Sequence, residues 1–391
     1  MGDNYLSSTD VAECITNLIA RNKLWSGKIL RLFFIVNSKA GCFTNNRVTK
    51  QYYSIFYKMN EEALKTKQCA LSVKYETFLT EHQNHATELT KNVINTIDRE
   101  FQDNTEYIIV TCGGDGTSLE VQTALYDEYL HLKDIKPHIM KQLCILRLPL
   151  GTGNDGTDGH YIKETFDLLQ GGLVYSNSKV LVAHTKNHPP METIKNANKF
   201  VSRFCTYQQT SPWYAFNIAS VGLDAFVNFV TNIVKSRFPG NLYHLCIPIS
   251  GLFYSRVFKW GNSCIKLFKN NTDKEPYSTY DKQFTIAVMG ATGKRTYGGG
   301  HKVLPTHHNV CIACRINIPR LIKENKSFAE GTHVGTDIGN MFVADKIEIN
   351  NDKPLMLQCD GECYILCKEH FPLTIERHDT GFRVLKAVDL E

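Results

Sequence analysis

Glycine, hydroxyl and carboxylate residues cluster at two places in the chain, each directly after an apolar run. The first is CGGDGT at residues 112–117, and the second is LPLGTGND at residues 148–155. Glycines have no side chain, so a polyphosphate can approach the backbone closely and accept hydrogen bonds from its N–H groups. If the two apolar runs are successive strands of one sheet, both clusters face one crevice, and a nucleotide cleft is the better explanation.

Asp115, which lies between two of these glycines, is the leading candidate for a catalytic carboxylate. It follows a buried strand, and open α/β sheets bind their ligands at that edge. Glu120 has a structural explanation instead, because Thr117-Ser118-Leu119-Glu120 fits a capping box in which Thr117 is the N-cap of a helix. The alternative for Asp115 is an ordinary Gly-Asp-Gly turn without chemistry.

The elements that must position both turns are predicted from the first part of the chain, where strand-like and helix-like segments alternate. A near-continuous apolar run typical of a parallel strand covers residues 30–36, and residues 71–79, 107–111 and 143–148 are further strand candidates. Helical segments lie between them, at residues 47–64, 83–100 and 117–132. This alternation predicts a parallel, right-handed α/β domain over residues 27–175, to which the two glycine turns assign nucleotide binding.

The second part of the chain predicts an antiparallel β domain over residues 176–375. Short segments rich in β-branched and aromatic residues occur at residues 199–207, 213–219, 262–268, 282–289, 309–317, 342–349 and 355–366. The polar segment 184–198 predicts a loop, and residues 222–258 contain helical material. The fold class is therefore α/β plus all-β, and a chain of 391 residues suits two domains.

Charge and composition narrow the classes of function. A formal net charge of +5 is too small to indicate a nucleic-acid-binding protein. The N-terminal sequence MGDNYLSSTDVAEC has no basic stretch followed by an apolar run, so we expect no secretory signal. We also expect no transmembrane segment, because no uninterrupted apolar segment is long enough to span a bilayer.

Thirteen cysteines without a signal sequence indicate free thiols in a reducing cytosol. Two groups could suggest zinc: His307, His308, Cys311 and Cys314 form one, and Cys359, Cys363 and Cys367 form the other. A zinc knuckle places its cysteine pair at a tight turn, however, and Cys311 and Cys314 lie in the strand-like segment VCIACRINI. We interpret both groups as small buried apolar residues, with zinc as the alternative.

The pairing of GGDGT with a later PLGTGND resembles the diacylglycerol kinase catalytic family, which also contains sphingosine and ceramide kinases. Further segments resemble motifs of this family in the family's order: Asn37-Ser38-Lys39-Ala40-Gly41, Thr80-Glu81 with His85-Ala86, Asn217 to Ala225, Gly298-Gly299-Gly300 with Pro305, and Asp360-Gly361-Glu362. The resemblance covers residues 30–375. GGDGT alone also occurs in NAD kinases, so the later motifs are what favour the lipid-kinase branch.

The resemblance implies an α/β domain like that of NAD and diacylglycerol kinases, a β-sandwich lipid-substrate domain, and a cleft between them. The C-terminal segment, residues 376–391, would return to the first domain. ATP and Mg²⁺ would be the cofactors, with Asp115 and Glu362 catalytic. Asp115 would also hold the metal, and Glu362 would accept the proton of the substrate hydroxyl. The expected nucleotide contacts are Asn37, Lys39, Thr80, Gly113, Gly114, Asp115, Gly116, Thr117, Gly151, Thr152, Asn154 and Asp155.

Three departures from the family's pattern leave a divergent or inactive member as an alternative. Leu119 stands where the family has asparagine, and residues 307–309 replace an Asp-Gly pair, which argues against a second, structural Mg²⁺ site. Gly156-Thr157-Asp158 stands where the family has Phe-Ala-Arg. Asp360-Gly361-Glu362 also fits a hairpin turn, and such a turn could itself deliver Glu362 to the cleft.

Two further segments bear on the substrate and the membrane. Residues 219–222 lack the acid that sphingosine kinases carry there, which favours diacylglycerol, giving phosphatidic acid, over a sphingoid base. Residues 234–269 mix basic and bulky apolar side chains, which suit either membrane contact or the core: Lys235, Arg237, Phe238, Tyr243, Leu252, Phe253, Tyr254, Arg256, Phe258, Lys259 and Trp260.

The resulting expectation is a cytoplasmic lipid kinase that contacts the membrane peripherally and can form a homodimer. Three alternatives stay open. They are a kinase for sphingoid lipids or ceramide, a metabolite kinase of the NAD-kinase type, and a non-catalytic homologue that binds nucleotide or lipid.

Overall fold

The chain divides into two compact units. Unit 1 comprises Met1–Ser178 and Asp379–Glu391, and unit 2 comprises Lys179–His378. The computed structural model describes residues 5–151, 153–204, 210–235, 243–297 and 300–388. Within these residues, no helix combines the length and the apolar character needed to cross a membrane.

Unit 1 is built on a parallel sheet with buried central strands. Its strands are β1 (Ile29–Val36), β2 (Ser72–Leu79), β3 (Thr105–Gly113) and β4 (Leu143–Pro149), followed by β5 (Leu173–Thr185), in which the chain leaves the unit. The first four strands lie in the order β2-β1-β3-β4, and all three pairings are parallel. Every residue of β3 and β4 is buried, which explains their near-continuous apolar sequences.

Helices cover both faces of this sheet, as a doubly wound fold requires. They are α1 (Ser8–Arg21), α2 (Gly41–Thr44), α3 (Asn46–Leu64), α4 (His85–Arg99), α5 (Asp115–Leu132), α6 (Pro137–Gln142) and α7 (Ile162–Gln170). Helices α1, α3 and α7 share an apolar core with Leu32, Phe34 and Val36 of β1, whereas α4 and α5 contact each other and the sheet. The predicted helices 47–64, 83–100 and 117–132 correspond to α3, α4 and α5.

Unit 2 is an antiparallel β-sandwich, and the α/β plus all-β class is confirmed. Its strands are β6 (Trp213–Ala215), β7 (Ile218–Gly222), β8 (Ser263–Phe268), β9 (Ser278–Tyr280), β10 (Phe284–Gly290), β11 (Arg295–Tyr297), β12 (His301–Leu304), β13 (Val310–Cys314), β14 (Gly339–Phe342), β15 (Lys346–Asn351), β16 (Leu355–Cys359) and β17 (Glu362–Leu366). One layer has the order β14-β13-β10-β7-β16-β17, and β15, β8 and β9 belong to the other. Ile265 and Ile347 of the second layer share an apolar core with Val221, Met289 and Leu357 of the first.

The helices of unit 2 correct two predictions. They are α8 (Met191–Ala197), α9 (Lys199–Ser202), α10 (Leu223–Lys235), α11 (Tyr243–Val257) and α12 (Ile318–Glu330). The predicted loop 184–198 contains α8, and the predicted strand 199–207 begins as helix α9, while residues 205–209 lie outside the described residues. Asn198 caps α9, its side chain accepting a hydrogen bond from Val201 N–H, and this local bond outweighs the strand propensity of the segment.

The last strand, β18 (Leu373–Ala387), carries the chain from unit 2 back to unit 1. In unit 2 its first residues pair antiparallel with β15, with Leu373 opposite Ile349. In unit 1 Arg383 and Val384 pair parallel with Cys144 and Ile145 of β4. The C-terminal segment is therefore part of the sheet of unit 1.

Candidate nucleotide site

The two glycine turns of unit 1 touch each other. Parallel pairing of β3 with β4 places Gly113 opposite Pro149, and Leu150 N–H donates to Gly113 O at 3.0 Å. A Cβ atom on Gly151 would lie only 2.3 Å from the Cα atom of Gly114. Gly151 therefore needs to be glycine for this close backbone approach, and residues 113–117 share one sheet edge with the second turn.

Asp115 lies where the two turns meet. Its Oδ1 accepts a hydrogen bond from Gly156 N–H at 2.9 Å, and a Cβ on Gly153 would lie 2.4 Å from its Oδ2. Asp115 is also the first residue of α5, whose N-cap, Gly114, makes no side-chain capping bond. The positive N-terminal end of an 18-residue helix therefore opens at this edge beside Gly116, which is exposed.

The predicted capping box at Thr117 is wrong. The N-cap of α5 lies three residues earlier, at Gly114, whose backbone is already extended. The Glu120 carboxylate instead accepts hydrogen bonds from Asn84 N–H and Ala86 N–H, both at 3.2 Å, at the start of α4. Glu120 therefore keeps a structural role, but it is a tertiary one.

Thr117 is buried between the first turn and β1. Its Oγ1 accepts a hydrogen bond from Asn37 Nδ2 at 3.2 Å and would lie 2.6 Å from a Cβ on Gly113. Asn37 N–H donates to Cys112 O at 2.9 Å, which joins the end of β1 to the first turn. One side-chain bond and one backbone bond therefore join the first turn to the residue that follows β1.

Lys39 and Thr80 lie at the same edge of the sheet. Thr80 N–H donates to Val36 O at 2.9 Å, directly after β2. The Lys39 ammonium donates to Glu81 O at 3.3 Å, and Lys39 N–H donates to Asn37 Oδ1 at 3.0 Å. The ends of β1, β2, β3 and β4 therefore bring the predicted residues of unit 1 together.

The second turn is closed by the side chain of Asn154. This residue has a left-handed backbone with φ of 64°. Its Oδ1 accepts from Gly151 N–H at 3.1 Å and its Nδ2 donates to Gly151 O at 3.2 Å, so the amide spans the turn. Asp155 follows and is half-buried, and Thr152 lies outside the described residues.

Arg147 and Asp158 form a buried ion pair behind this turn that the sequence analysis missed. Their side chains are only 7% and 6% exposed, and Arg147 Nη2 lies 2.6 Å from Asp158 Oδ1. A signal was present in the run CILRLPL, where one arginine interrupts an otherwise apolar strand. A charge inside a buried strand needs a buried partner, and the nearest acid after this turn and Asp155 is Asp158.

Glu362 lies in unit 2, at the start of β17 and directly after a tight hairpin turn. Cys359 pairs with Glu362, so Asp360 and Gly361 form a two-residue loop, both with positive φ, and the hairpin interpretation is confirmed. The Asp360 carboxylate accepts hydrogen bonds from Phe216 N–H at 2.6 Å and Ile218 N–H at 2.8 Å. The Glu362 side chain is exposed, yet partial desolvation raises the pKa of its carboxyl above the usual value.

Comparison with known proteins agrees with this geometry. Residues 31–172, which contain both glycine turns and the ends of all four strands, match the family model of the diacylglycerol kinase catalytic domain. This stretch resembles a diacylglycerol kinase catalytic domain. A Bacillus subtilis protein named "Putative lipid kinase YtlR" is 26% identical over 356 residues, covering 84% of this chain and 92% of that protein.

Solved structures agree on the fold beyond residues 31–172. One is described as "a putative diacylglycerol kinase from Bacillus anthracis", with a TM-score of 0.53 and 16% identity, covering 92% of this chain and 98% of that one. A second diacylglycerol kinase structure from the same organism has a TM-score of 0.50 and 13% identity, covering 90% and 96%. At these identities the likeness shows the fold alone.

The departures from the diacylglycerol kinase pattern in unit 2 have structural roles where they are described. Asn309 is buried, and its amide exchanges two hydrogen bonds with the backbone of Ala344, at 2.8 and 3.0 Å. Asn309 belongs to the segment 307–309 that replaces the Asp-Gly pair, and its buried amide offers no carboxylate to a metal ion. Gly298 and Gly299 of the glycine triplet lie outside the described residues.

Among the described residues, one group of His, Cys, Asp or Glu side chains comes close enough to suggest a metal ion: His82, His85 and Glu88. The two imidazole rings are stacked, with centroids 4.6 Å apart and planes only 14° apart. A metal ion lies in the plane of each ring that binds it, so two parallel stacked rings cannot share one ion in this arrangement. Glu81 N–H already donates to His85 Nδ1 at 3.0 Å.

Proposed function

We propose that the chain is an ATP- and Mg²⁺-dependent lipid kinase that transfers the γ-phosphate to a lipid hydroxyl, with diacylglycerol as substrate and phosphatidic acid as product. The observation that carries this proposal is the contact between the two glycine turns around Asp115. Backbone N–H groups and a helix N-terminus at one sheet edge suit the charge of a polyphosphate.

The nucleotide would lie along the Gly113–Thr117 turn, with its phosphates toward the start of α5. Gly116 supports this placement, because no heavy atom lies within 4 Å of where its Cβ would be. The Lys39 ammonium and Thr80 are at the same edge and would contact the phosphates from β1 and β2. Asn37 and Asn154 would act mainly by holding the turns, because their side-chain amides bond to Thr117 and Gly151.

Asp115 would hold Mg²⁺. Magnesium prefers oxygen ligands and keeps several waters, and a half-buried carboxylate beside an exposed glycine fits that chemistry. When bound, the ion neutralises charge that develops on the transferred phosphoryl group. The Gly156 N–H bond fixes the orientation of the Asp115 carboxylate before any ligand arrives.

Glu362 would act as the general base that accepts the proton of the lipid hydroxyl. A base works best when its pKa approaches the working pH, and desolvation moves the pKa of Glu362 upward, in that direction. The rigid hairpin supports this role, because Asp360 anchors the turn to the backbone at the start of β7. Ser220 and Gln358 further tie the hairpin to Asp224.

Helix α11 would place unit 2 on the membrane. Four apolar side chains on one helix face are exposed: Leu245, Ile249, Leu252 and Phe253, at 64%, 50%, 48% and 47%. Arg256 lies over the Phe253 ring at 5.7 Å, and Lys259 is exposed. An apolar face with flanking cations suits an anionic bilayer surface.

The opposite side of the same segment belongs to the core, so the proposed membrane contact concerns the exposed face alone. Tyr254 and Phe258 are buried, and both pack against Phe226 of α10. A cavity of about 330 Å³, lined in part by Leu223, Tyr254 and Trp260, opens beside them. Its aromatic lining would suit the apolar part of a lipid. Arg237 and Phe238 of the predicted segment lie outside the described residues.

Labelled phosphate transfer tests the proposal. The purified chain is incubated with γ-labelled ATP, Mg²⁺ and vesicles that contain diacylglycerol, a sphingoid base or ceramide, and in parallel with NAD. Label in phosphatidic acid supports the proposal. Label in a sphingoid or ceramide phosphate would show that the substrate is that lipid and not diacylglycerol. Label on NAD, or ATP binding without any transfer, would overturn lipid kinase activity.

A further inference from the structure

The second glycine turn is anchored by a buried charge pair. The Arg147 guanidinium donates to both oxygens of Asp158, from Nη2 to Oδ1 at 2.6 Å and from Nε to Oδ2 at 3.2 Å. Backbone bonds reinforce the contact: Arg147 N–H donates to Asp158 Oδ2, and Asp158 N–H donates to Arg147 O, both at 2.8 Å. A forked, buried arrangement of this kind has one favourable geometry, so it defines where residue 158 lies relative to β4.

Hydrogen bonds of the residues next to Asp158 connect it to the second turn. Thr157 Oγ1 can donate to Asn154 O at 2.9 Å or to Gly159 O at 2.7 Å, which closes the segment between the turn and Asp158. Thr165 Oγ1 donates to Asp158 O at 2.7 Å and ties the same point to α7. The loop after β4 therefore has fixed ends as well as a closed turn.

Two paths lead from the pair to Asp115. The first is the loop itself, because Gly156, two residues before Asp158, donates its N–H to Asp115 Oδ1 at 2.9 Å. The second is α5, the helix that begins at Asp115. Arg147 Nη1 donates to Gln122 Oε1 at 3.1 Å, and Gln122 Nε2 donates to Ser118 Oγ at 3.2 Å within that helix.

We propose that Arg147 and Asp158 are positioning residues that set where the second glycine turn and the Asp115 carboxylate lie. The effect on turnover rests on the proposed kinase function, whereas the effect on the turn does not. The segment Gly156-Thr157-Asp158 departs from the family's sequence pattern. On this proposal it supplies the carboxylate of Asp158 that anchors the second turn to Arg147. Neither residue needs to touch a substrate to change the reaction.

The main test removes both charges together, in the full chain with Arg147→Met and Asp158→Leu. Removing the pair leaves no unpaired buried charge, so the double variant should fold with a melting temperature near that of the parent. Hydrogen exchange of the Gly156 amide is measured without ATP or lipid. We expect it to be about tenfold faster or more, because the turn has lost its anchor.

Kinetics provide the second readout. We expect kcat to fall about tenfold or more at an unchanged KM for lipid, since a misplaced carboxylate affects the transition state rather than lipid binding. Arg147→Lys keeps a charge opposite Asp158 but loses the fork, so it should give an intermediate exchange rate and kcat. If the double variant does not fold, the Gly156 exchange rate and the kcat of Arg147→Lys test the proposal instead.

Asp98→Asn is the matched control. Asp98 pairs with Lys136 at 2.6 Å near the starts of β3 and β4, at the opposite end of these strands. Losing this ion pair should leave the hydrogen-exchange rate of the Gly156 amide and kcat unchanged. The proposal would be overturned if the double variant folds and its Gly156 amide exchanges within twofold of the parental rate. That result is independent of whether the parent phosphorylates any lipid, so it separates this inference from the kinase proposal.

Discussion

Asn154 and Asp115 show how two polar residues of one site differ in what their side chains contact. The Asn154 amide bonds to the backbone of its own turn, at Gly151, and so stabilises the loop. The Asp115 carboxylate accepts a bond from the other turn, at Gly156, and joins the two loops. A substitution at Asn154 should therefore act through loop structure, whereas one at Asp115 changes the charge at the junction.

Replacing Asp115 by asparagine tests that charge. The amide oxygen of Asp115→Asn can still accept from Gly156 N–H, so the turns should keep their positions and the melting temperature should stay close to that of the parent. Loss of the negative charge should lower kcat about 100-fold or more, because the group proposed to hold Mg²⁺ would be gone. Phosphate transfer and ATP affinity are measured side by side; transfer at the parental rate would remove Asp115 from the mechanism.

Glu362 predicts a pH dependence with a definite sign. Its raised pKa means that the carboxylate is protonated, and lost as a base, at a higher pH than an ordinary glutamate. The ratio kcat/KM should therefore fall as the pH drops through that raised value. Glu362→Gln should lower kcat about 100-fold and abolish this acidic limb, with ATP affinity retained. An identical acidic limb in the glutamine variant would assign it to another group.

At the scale of elements, the contact between the turns after β3 and β4 depends on backbone approach rather than on side chains. Gly114 and Gly151 meet closely, whereas Gly116 faces open space. The parallel register makes this contact possible, because it pairs Gly113, the last residue of β3, with Pro149, the last residue of β4. The hairpin of β16 and β17 depends similarly on Gly361, with φ of 92°, at the turn before Glu362.

Two alanine substitutions separate packing from ligand approach. Gly151→Ala places a Cβ 2.3 Å from the Gly114 Cα, so the turns must move apart, at a cost of about 1–3 kcal/mol in the free energy of unfolding. Gly116→Ala meets no atom within 4 Å and lies in a helix, so the stability should be unchanged or slightly higher. Both should weaken ATP binding. Denaturant unfolding and ATP titration measure the two effects, and equal stability of the two variants would contradict the close contact.

At the scale of the whole molecule, the net charge and the exposed apolar surface bear on the proposed membrane contact. The net charge of +5 is modest, so attraction to anionic lipid would assist an apolar contact rather than replace it. The exposed face of α11 would supply that contact within unit 2. The chain crosses between the units twice, in β5 and in β18, so unit 2 is an insertion between two segments of unit 1.

Vesicle sedimentation tests the α11 surface. The double variant Ile249→Asp and Leu252→Asp places two charges on the exposed face, and binding to anionic vesicles should weaken by about tenfold or more. ATP affinity should not change. Ile135→Asp is the control, since Ile135 is 71% exposed in unit 1, outside α11. Equal losses of vesicle binding in both proteins would show that α11 is not a specific contact.

Local patterns in the sequence determined the fold class and the two turns. The apolar runs before CGGDGT and GTGND are strands because a buried parallel strand needs apolar residues on both faces, and this requirement is readable within a few residues. The helices α3, α4 and α5 followed from alternation with those strands. Helix α9 did not, because one capping bond from Asn198 outweighed the strand propensity of its neighbours.

Tertiary structure alone decided which distant groups meet. Glu120 caps α4 rather than its own helix, and Asp158 finds Arg147 across a turn, because these bonds join residues whose separation is set by sheet register and not by chain distance. Composition and spacing were enough to predict glycine turns after two buried strands. Only the register of β3 against β4 decided that Gly114 and Gly151 touch around Asp115, since parallel pairing fixes where each strand ends.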